Sequence, residues 1–194
     1  MTAQGLRILL ADEDRDALDR LSVLVEGLGH TVCAYAVEVS EVAERVATDD
    51  PDLSMVVLHQ DDDHAVALIE EICAYATGPV IALTIEEDPE FIARAADHGV
   101  MAQAKPDEAD AVQSAIEVAL RRHAEIERLE AKVDQLEGAL ARRAVIERAK
   151  GILMERHSVD DRTAFERLRT HARTERRRVV DVAFAVAEGH LELP

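Results

Sequence analysis

The chain has 194 residues, of which 48% are hydrophobic and 32% charged, with a formal net charge of −18. That length suits one α/β domain plus a smaller module, and that balance excludes disorder as the main state. No run approaches a membrane span and residues 1–7 lack a basic stretch followed by an apolar core, so the protein is expected to be cytoplasmic with no membrane partner. Cys33 and Cys73 stand 40 positions apart in apolar surroundings, so they read as small buried apolar residues rather than a metal pair or disulfide. With no Trp, two Tyr and three Phe, a platform of several base-stacking aromatics cannot be assembled.

The net charge argues at first against a nucleic-acid partner, but it conceals a split. Residues 1–120 hold 6 Lys and Arg against 26 Asp and Glu, a net of −20. Residues 142–178 hold 12 against 6, a net of +6. Asymmetry of this size points to two modules with different partners.

In chain order, Arg7 to Ala11 reads as a buried strand delivering Asp12, Glu13 and Asp14 at its carboxyl end. Leu18, Leu21, Val25 and Leu28 then recur at helical spacing, and Gly29 is placed to end that helix. A second strand is expected over 30–36, followed by a helix from about Ser40 with Val42 and Val46 inward. The unit repeats: strands over 53–58, 80–84 and 100–104, and helices over 64–76 and 89–98. Strands alternating with helices across short connections predict an α/β, doubly wound, five-stranded parallel sheet. Ligands of such sheets lie beyond the carboxyl ends of the strands, so Asp12, Glu13, Val57, Thr84 and Lys105 are expected to share one crevice.

The run Ile8-Leu9-Leu10-Ala11-Asp12-Glu13-Asp14, the segment Pro51-Asp52-Leu53-Ser54-Met55-Val56-Val57, the pair Leu83-Thr84 and the closing Lys105-Pro106 resemble the receiver domain of two-component response regulators, of flavodoxin-like fold. The resemblance implies an acidic pair that holds Mg²⁺, an Asp that accepts phosphate, a Thr and a Lys. At the acceptor position stands Val57, whose isopropyl group neither takes a phosphoryl group nor ligates a hard cation. The fifth strand also lacks the aromatic that the family uses as a switch. A pseudo-receiver is therefore expected, independent of phosphorylation, without metal or cofactor, and open to a regulatory protein or ligand. Asp61, Asp62 and Asp63 begin four residues too late to substitute, and they read as a solvated acidic loop that also caps the next helix. The histidines beside them, His59 and His64, match no zinc spacing.

From 107 onward no Pro interrupts the chain before Pro194. Ile126, Leu129, Val133, Leu136 and Leu140 follow the 3,4 spacing of a coiled-coil seam. The stripe either dimerises in a parallel coiled coil or folds against its own chain. The dimer is favoured, since a helix over 107–156 spans ~75 Å and must bury its stripe somewhere.

Beyond it, Val145, Ala149, Ile152 and Leu153 face inward on the same helix. Ser158 is expected to cap a second helix whose core face is Ala164, Phe165, Leu168 and Ala172. A third helix over 176–188 buries Val179, Val182, Ala183 and Val186. Phe165 is read as core rather than as a base-stacking residue. The strings Ala149-Lys150-Gly151-Ile152-Leu153-Met154 and Ala164-Phe165-Glu166-Arg167-Leu168-Arg169-Thr170-His171-Ala172, followed by Val182-Ala183, resemble the ANTAR domain. That resemblance implies a three-helix RNA-binding bundle acting in transcription antitermination, a dimer whose two modules engage twin hexaloop stem-loops in leader RNA. Lys150, Gly151 and Arg169 occupy motif positions, and Arg173, Arg176, Arg177 and Arg178 are expected as supporting phosphate contacts. Three segments result: 1–120 receiver-like, 121–141 coiled-coil linker and 142–194 ANTAR. The sequence thus points to a non-catalytic, antiterminating response regulator. Its rival is a protein-interaction adaptor that uses the acidic half and has no RNA activity.

Overall fold

The computed structural model describes residues 5–59, 63–84 and 89–194. Asp61 and Asp62 of the acidic loop lie outside the described residues. The described chain divides into two compact units, residues 1–127 and 128–194.

In the first unit, β1 (Arg7–Ala11), β2 (Thr31–Ala36), β3 (Leu53–Leu58), β4 (Val80–Thr84) and β5 (Val100–Ala104) pair in the order β2-β1-β3-β4-β5, every pairing parallel. This order reverses between β1 and β3, which opens a crevice at their carboxyl ends. The side-chain alternation of β3 divides the core in two. Val56 and Leu58 pack with Val42 and Val46 of α2 (Val39–Asp49) and with Leu68, Ile69 and Ile72 of α3 (Asp63–Tyr75). Met55 and Val57 pack on the other face with Leu18, Leu21 and Val25 of α1 (Arg15–Gly27) and with Val112, Ala115, Ile116 and Ala119. Helix α4 (Pro89–Asp97) adds Ala95 to the first of these clusters. Gly78 is required where β4 begins, because a Cβ there would lie 2.3 Å from the Asp52 carbonyl oxygen. All five expected strands are present, and β3 is buried along its full length.

Helix α5 runs unbroken from Ala109 to His157. The second unit holds its later turns, α6 (Asp161–Thr174) and α7 (Val179–Ala187). Ala149 and Leu153 of α5, Ala164, Leu168 and Ala172 of α6, and Val182, Ala183 and Val186 of α7 form one core, which Leu193 joins.

Four local expectations are corrected. Ser158 does not cap α6; it sits at φ +50°, and Asp160 is the cap, its Oδ1 accepting from the Thr163 N–H at 2.8 Å. A carboxylate two residues later in the chain reaches the third helical N–H, which a residue in left-handed backbone cannot. The third helix starts at Val179 rather than 176, because Arg176 is left-handed at φ +55° and helical hydrogen bonding resumes only at Arg178, the cap. Phe165 is 37% exposed and outside the core, because it follows Ala164 by one residue and so lies 100° around the helix. Cys73 is exposed on α3 and Cys33 is intermediate, so neither is a fully buried core residue.

Candidate nucleic-acid interface

Of the residues expected at the carboxyl edge of the sheet, Asp12 and Thr84 are buried, and Glu13 and Lys105 are exposed. Val57 and Lys105 line one cavity, in which neither Asp12 nor Thr84 takes part. Asp12 is engaged differently. Its Oδ1 accepts from the Asp14 N–H at 3.0 Å and lies 3.0 Å from His59 Nε2, while its Oδ2 is buried without a hydrogen-bond partner among the described residues. A Mg²⁺ of the kind the fold implies takes oxygen donors. Here Val57 offers none, and an imidazole occupies one of the two oxygens of Asp12. The donor set does not fit a metal poised for phosphoryl transfer, and no step follows through one. Among the described residues no group of three or more His, Cys, Asp or Glu is placed to hold a metal ion. His59 was legible only as a flank of the acidic loop; its position two residues after Val57 is the signal that links it to Asp12.

On α5 the coiled-coil stripe is open along its length: Ile126, Leu129, Val133, Leu136 and Leu140 are 42 to 66% exposed. No described residue of the chain covers it, as their exposure shows.

In the second unit the expected RNA contacts separate by environment. Lys150 is buried, its Nζ 2.9 Å from Glu147 Oε2 and 2.5 Å from Asp161 Oδ1, so it braces α5 against the first turn of α6. Hydrogen bonds to Asp161, then to Glu147, hold its pKa above the usual lysine value. Neighbouring Gly151 is exposed, and a Cβ there would meet nothing within 4 Å. Arg178 pairs with both carboxylate oxygens of Asp181 at 3.0 Å, which fastens the first turn of α7. Its hydrogen bond lowers the Asp181 pKa and raises its own. Arg169 reaches Glu166 at 3.2 Å, and Arg177 donates to the Asp181 carbonyl at 3.4 Å. Arg173 and Arg176 are exposed and make no ion pair among the described residues. By helical spacing Arg162, Phe165, Arg169 and Arg173 fall along one flank of α6, and Arg176 follows in the turn to α7. Arg162 and the exposed Phe165 are the members of this strip that were not expected. Their 3,4 spacing is the sequence signal for the strip, which the hydrophobic character of Phe165 masks.

The chain joins a sheet with the fold of receiver domains to a C-terminal stretch that matches the ANTAR domain family. The ANTAR domain model matches residues 134–186. Over 180 residues the chain is 29% identical to the transcriptional regulatory protein PdtaR of Mycobacterium tuberculosis, covering 91% of this chain and 88% of that one. The receiver domain of a modulated diguanylate cyclase from Desulfovibrio desulfuricans G20 superposes with a TM-score of 0.54 at 21% identity, covering 62% of this chain and 98% of that one. The receiver domain of the putative response regulator NarL from Mycobacterium tuberculosis superposes with a TM-score of 0.50 at 12% identity, covering 59% and 94%. No described helix is long and apolar enough to cross a membrane.

Asp160 supplies a test of the α6 cap. Hydrogen bonds from Thr163, side chain first and then backbone, hold its carboxyl below the ordinary 3.8. A depressed carboxyl pKa contributes stability that is complete above the unfolded value and is lost as pH falls through the folded one. Asp160→Ala is expected to lower the thermal midpoint of the second unit near neutral pH. Asp160→Asn, which keeps an acceptor, is expected to hold most of that midpoint and to flatten its decline below pH 4, followed by circular dichroism.

Proposed function

We propose that the protein is a dimeric, phosphorylation-independent antiterminator that binds stem-loops of leader RNA through its ANTAR module. The observation that carries this reading is the coincidence of the ANTAR match over 134–186 with a cationic strip on α6 and the following turn, in which Arg173 and Arg176 form no ion pair among the described residues. Guanidinium groups without an internal carboxylate lose none on meeting a phosphate, and they bind it bidentately. In this reading Arg169, within the strip but paired with Glu166, and Arg177 and Gly151 are secondary contacts. Lys150 and Arg178 act in this reading by holding α6 and α7 in place, since each is committed to carboxylates within the module. The twin hexaloop target suits two modules joined by one seam. Ile126, Val133 and Leu140 take the a positions and Leu129 and Leu136 the d positions; two of the three a residues, Ile126 and Val133, are β-branched, and with Leu at d they favour a parallel two-stranded coil. A pseudo-receiver follows from Val57, whose side chain is only 3% exposed within the α1 and α5 face of the core. The segments 1–120, 121–141 and 142–194 correspond to its regulatory, dimerising and RNA-binding parts.

Four measurements test this. Titration with a twin hexaloop leader RNA at several salt concentrations is expected to give a log–log slope that falls by about one for each of Arg173→Ala and Arg176→Ala. Lys150→Ala is expected instead to lower the thermal midpoint of the module; no RNA binding at low salt refutes the reading. Acetyl phosphate is expected to leave no aspartyl phosphate, detected by intact mass, and a stoichiometric adduct refutes phosphorylation independence. Sedimentation is expected to show a dimer for the full chain and a monomer for the double variant Val133→Glu, Leu136→Glu.

A further inference from the structure

The receiver-fold unit contains a cavity of about 540 Å³ between α1 and the connection from β5 to α5. Its volume lies within the ~300 to 1,000 Å³ of ordinary small-molecule sites. Leu21 and Val57, each 3% exposed, are its deepest lining residues, and Leu24 and Pro106 extend the apolar wall. Where the receiver pattern carries a carboxylate, the floor here is an isopropyl group, and the Lys of that pattern still lines the same space.

Two cations face this apolar floor from opposite walls, Arg20 on α1 and Lys105 after β5. Arg20 lies 3.8 Å from Asp14, and Lys105 has Glu108 at 3.9 Å among its contacts. Exposed pairs of that length contribute little and exchange readily for a ligand anion. The N-terminal end of α5, which opens beside the cavity at Ala109, adds a partial positive charge. Asp107 and Glu108 share the rim, so a multiply charged phosphate meets more repulsion there than a single carboxylate does.

We propose that this cavity binds a small amphipathic monocarboxylate, its apolar body against Leu21, Leu24 and Val57 and its carboxylate between Arg20 and Lys105. The site is independent of the RNA reading, since every lining residue belongs to the first unit.

Calorimetric titration of the full chain with octanoate, acetate, octylammonium and inorganic phosphate tests it. Octanoate is expected to bind saturably with one site per chain, and the other three at least ~10-fold more weakly, since each lacks the body, the charge sign or the single charge. Ala17→Trp, which fills the cavity, and the exposed double variant Arg20→Gln, Lys105→Gln are each expected to weaken octanoate by ~5-fold or more. The double variant carries the test if Ala17→Trp does not fold. Absence of saturable octanoate binding, equal binding of octylammonium, or octanoate affinity lost in Leu136→Glu but retained in the double variant would overturn the assignment.

Discussion

One helix has to satisfy three different surroundings. Along α5, Val112, Ala115, Ile116 and Ala119 complete the core of the sheet. Ile126 to Leu140 then face outward, and Ala149 and Leu153 complete the core of the helical bundle. Because the backbone hydrogen bonds of a helix are internal, it needs no shared core to continue through the middle stretch; it needs only the absence of breakers. The 49 residues contain no Pro, and Gly138 and Gly151 are tolerated without a break. Ile126 to Leu140 form a long apolar stripe of α5 that no described residue buries.

At the end of β3 the sheet edge is packed rather than polar. The isopropyl group of Val57, on the α1 and α5 face of β3, joins the surrounding Leu and Ile side chains. The buried carboxylate of Asp12 meets the ring of His59. The remaining polar groups therefore no longer act together: Lys105 borders an apolar cavity, while Asp12 and Thr84 are held in the structure.

Much of this was legible in the residues. The five strands, the amphipathic faces of α1, α2 and α7, and the seam of α5 all follow from periodicity, because period 2 and period 3.6 report directly on which side chains share a face. The misjudged details were local and geometric. Asp160 rather than Ser158 caps α6, and Arg176 turns left-handed before α7, because both depend on the dihedral angles of a single turn. Helical spacing puts Phe165 on the same broad face as Ala164, Leu168 and Ala172, but of the neighbours Ala164 and Phe165 only Ala164 takes the inward position.

Charge shows the same division. The sequence by itself determined that the acidic and basic residues are segregated, that Val57 ends the third strand, and that the ANTAR strings stand near the C-terminus, since these are matters of residue identity and spacing. Only the tertiary structure decided which cations are committed. Lys150 joins α5 to α6 through Asp161 and Arg178 fastens the first turn of α7 through Asp181, whereas Arg173 and Arg176 form no ion pair among the described residues. Linear order cannot report this, because an ion pair forms where the fold brings two side chains within a few ångströms, and residues equally basic in sequence then differ in what remains for a ligand.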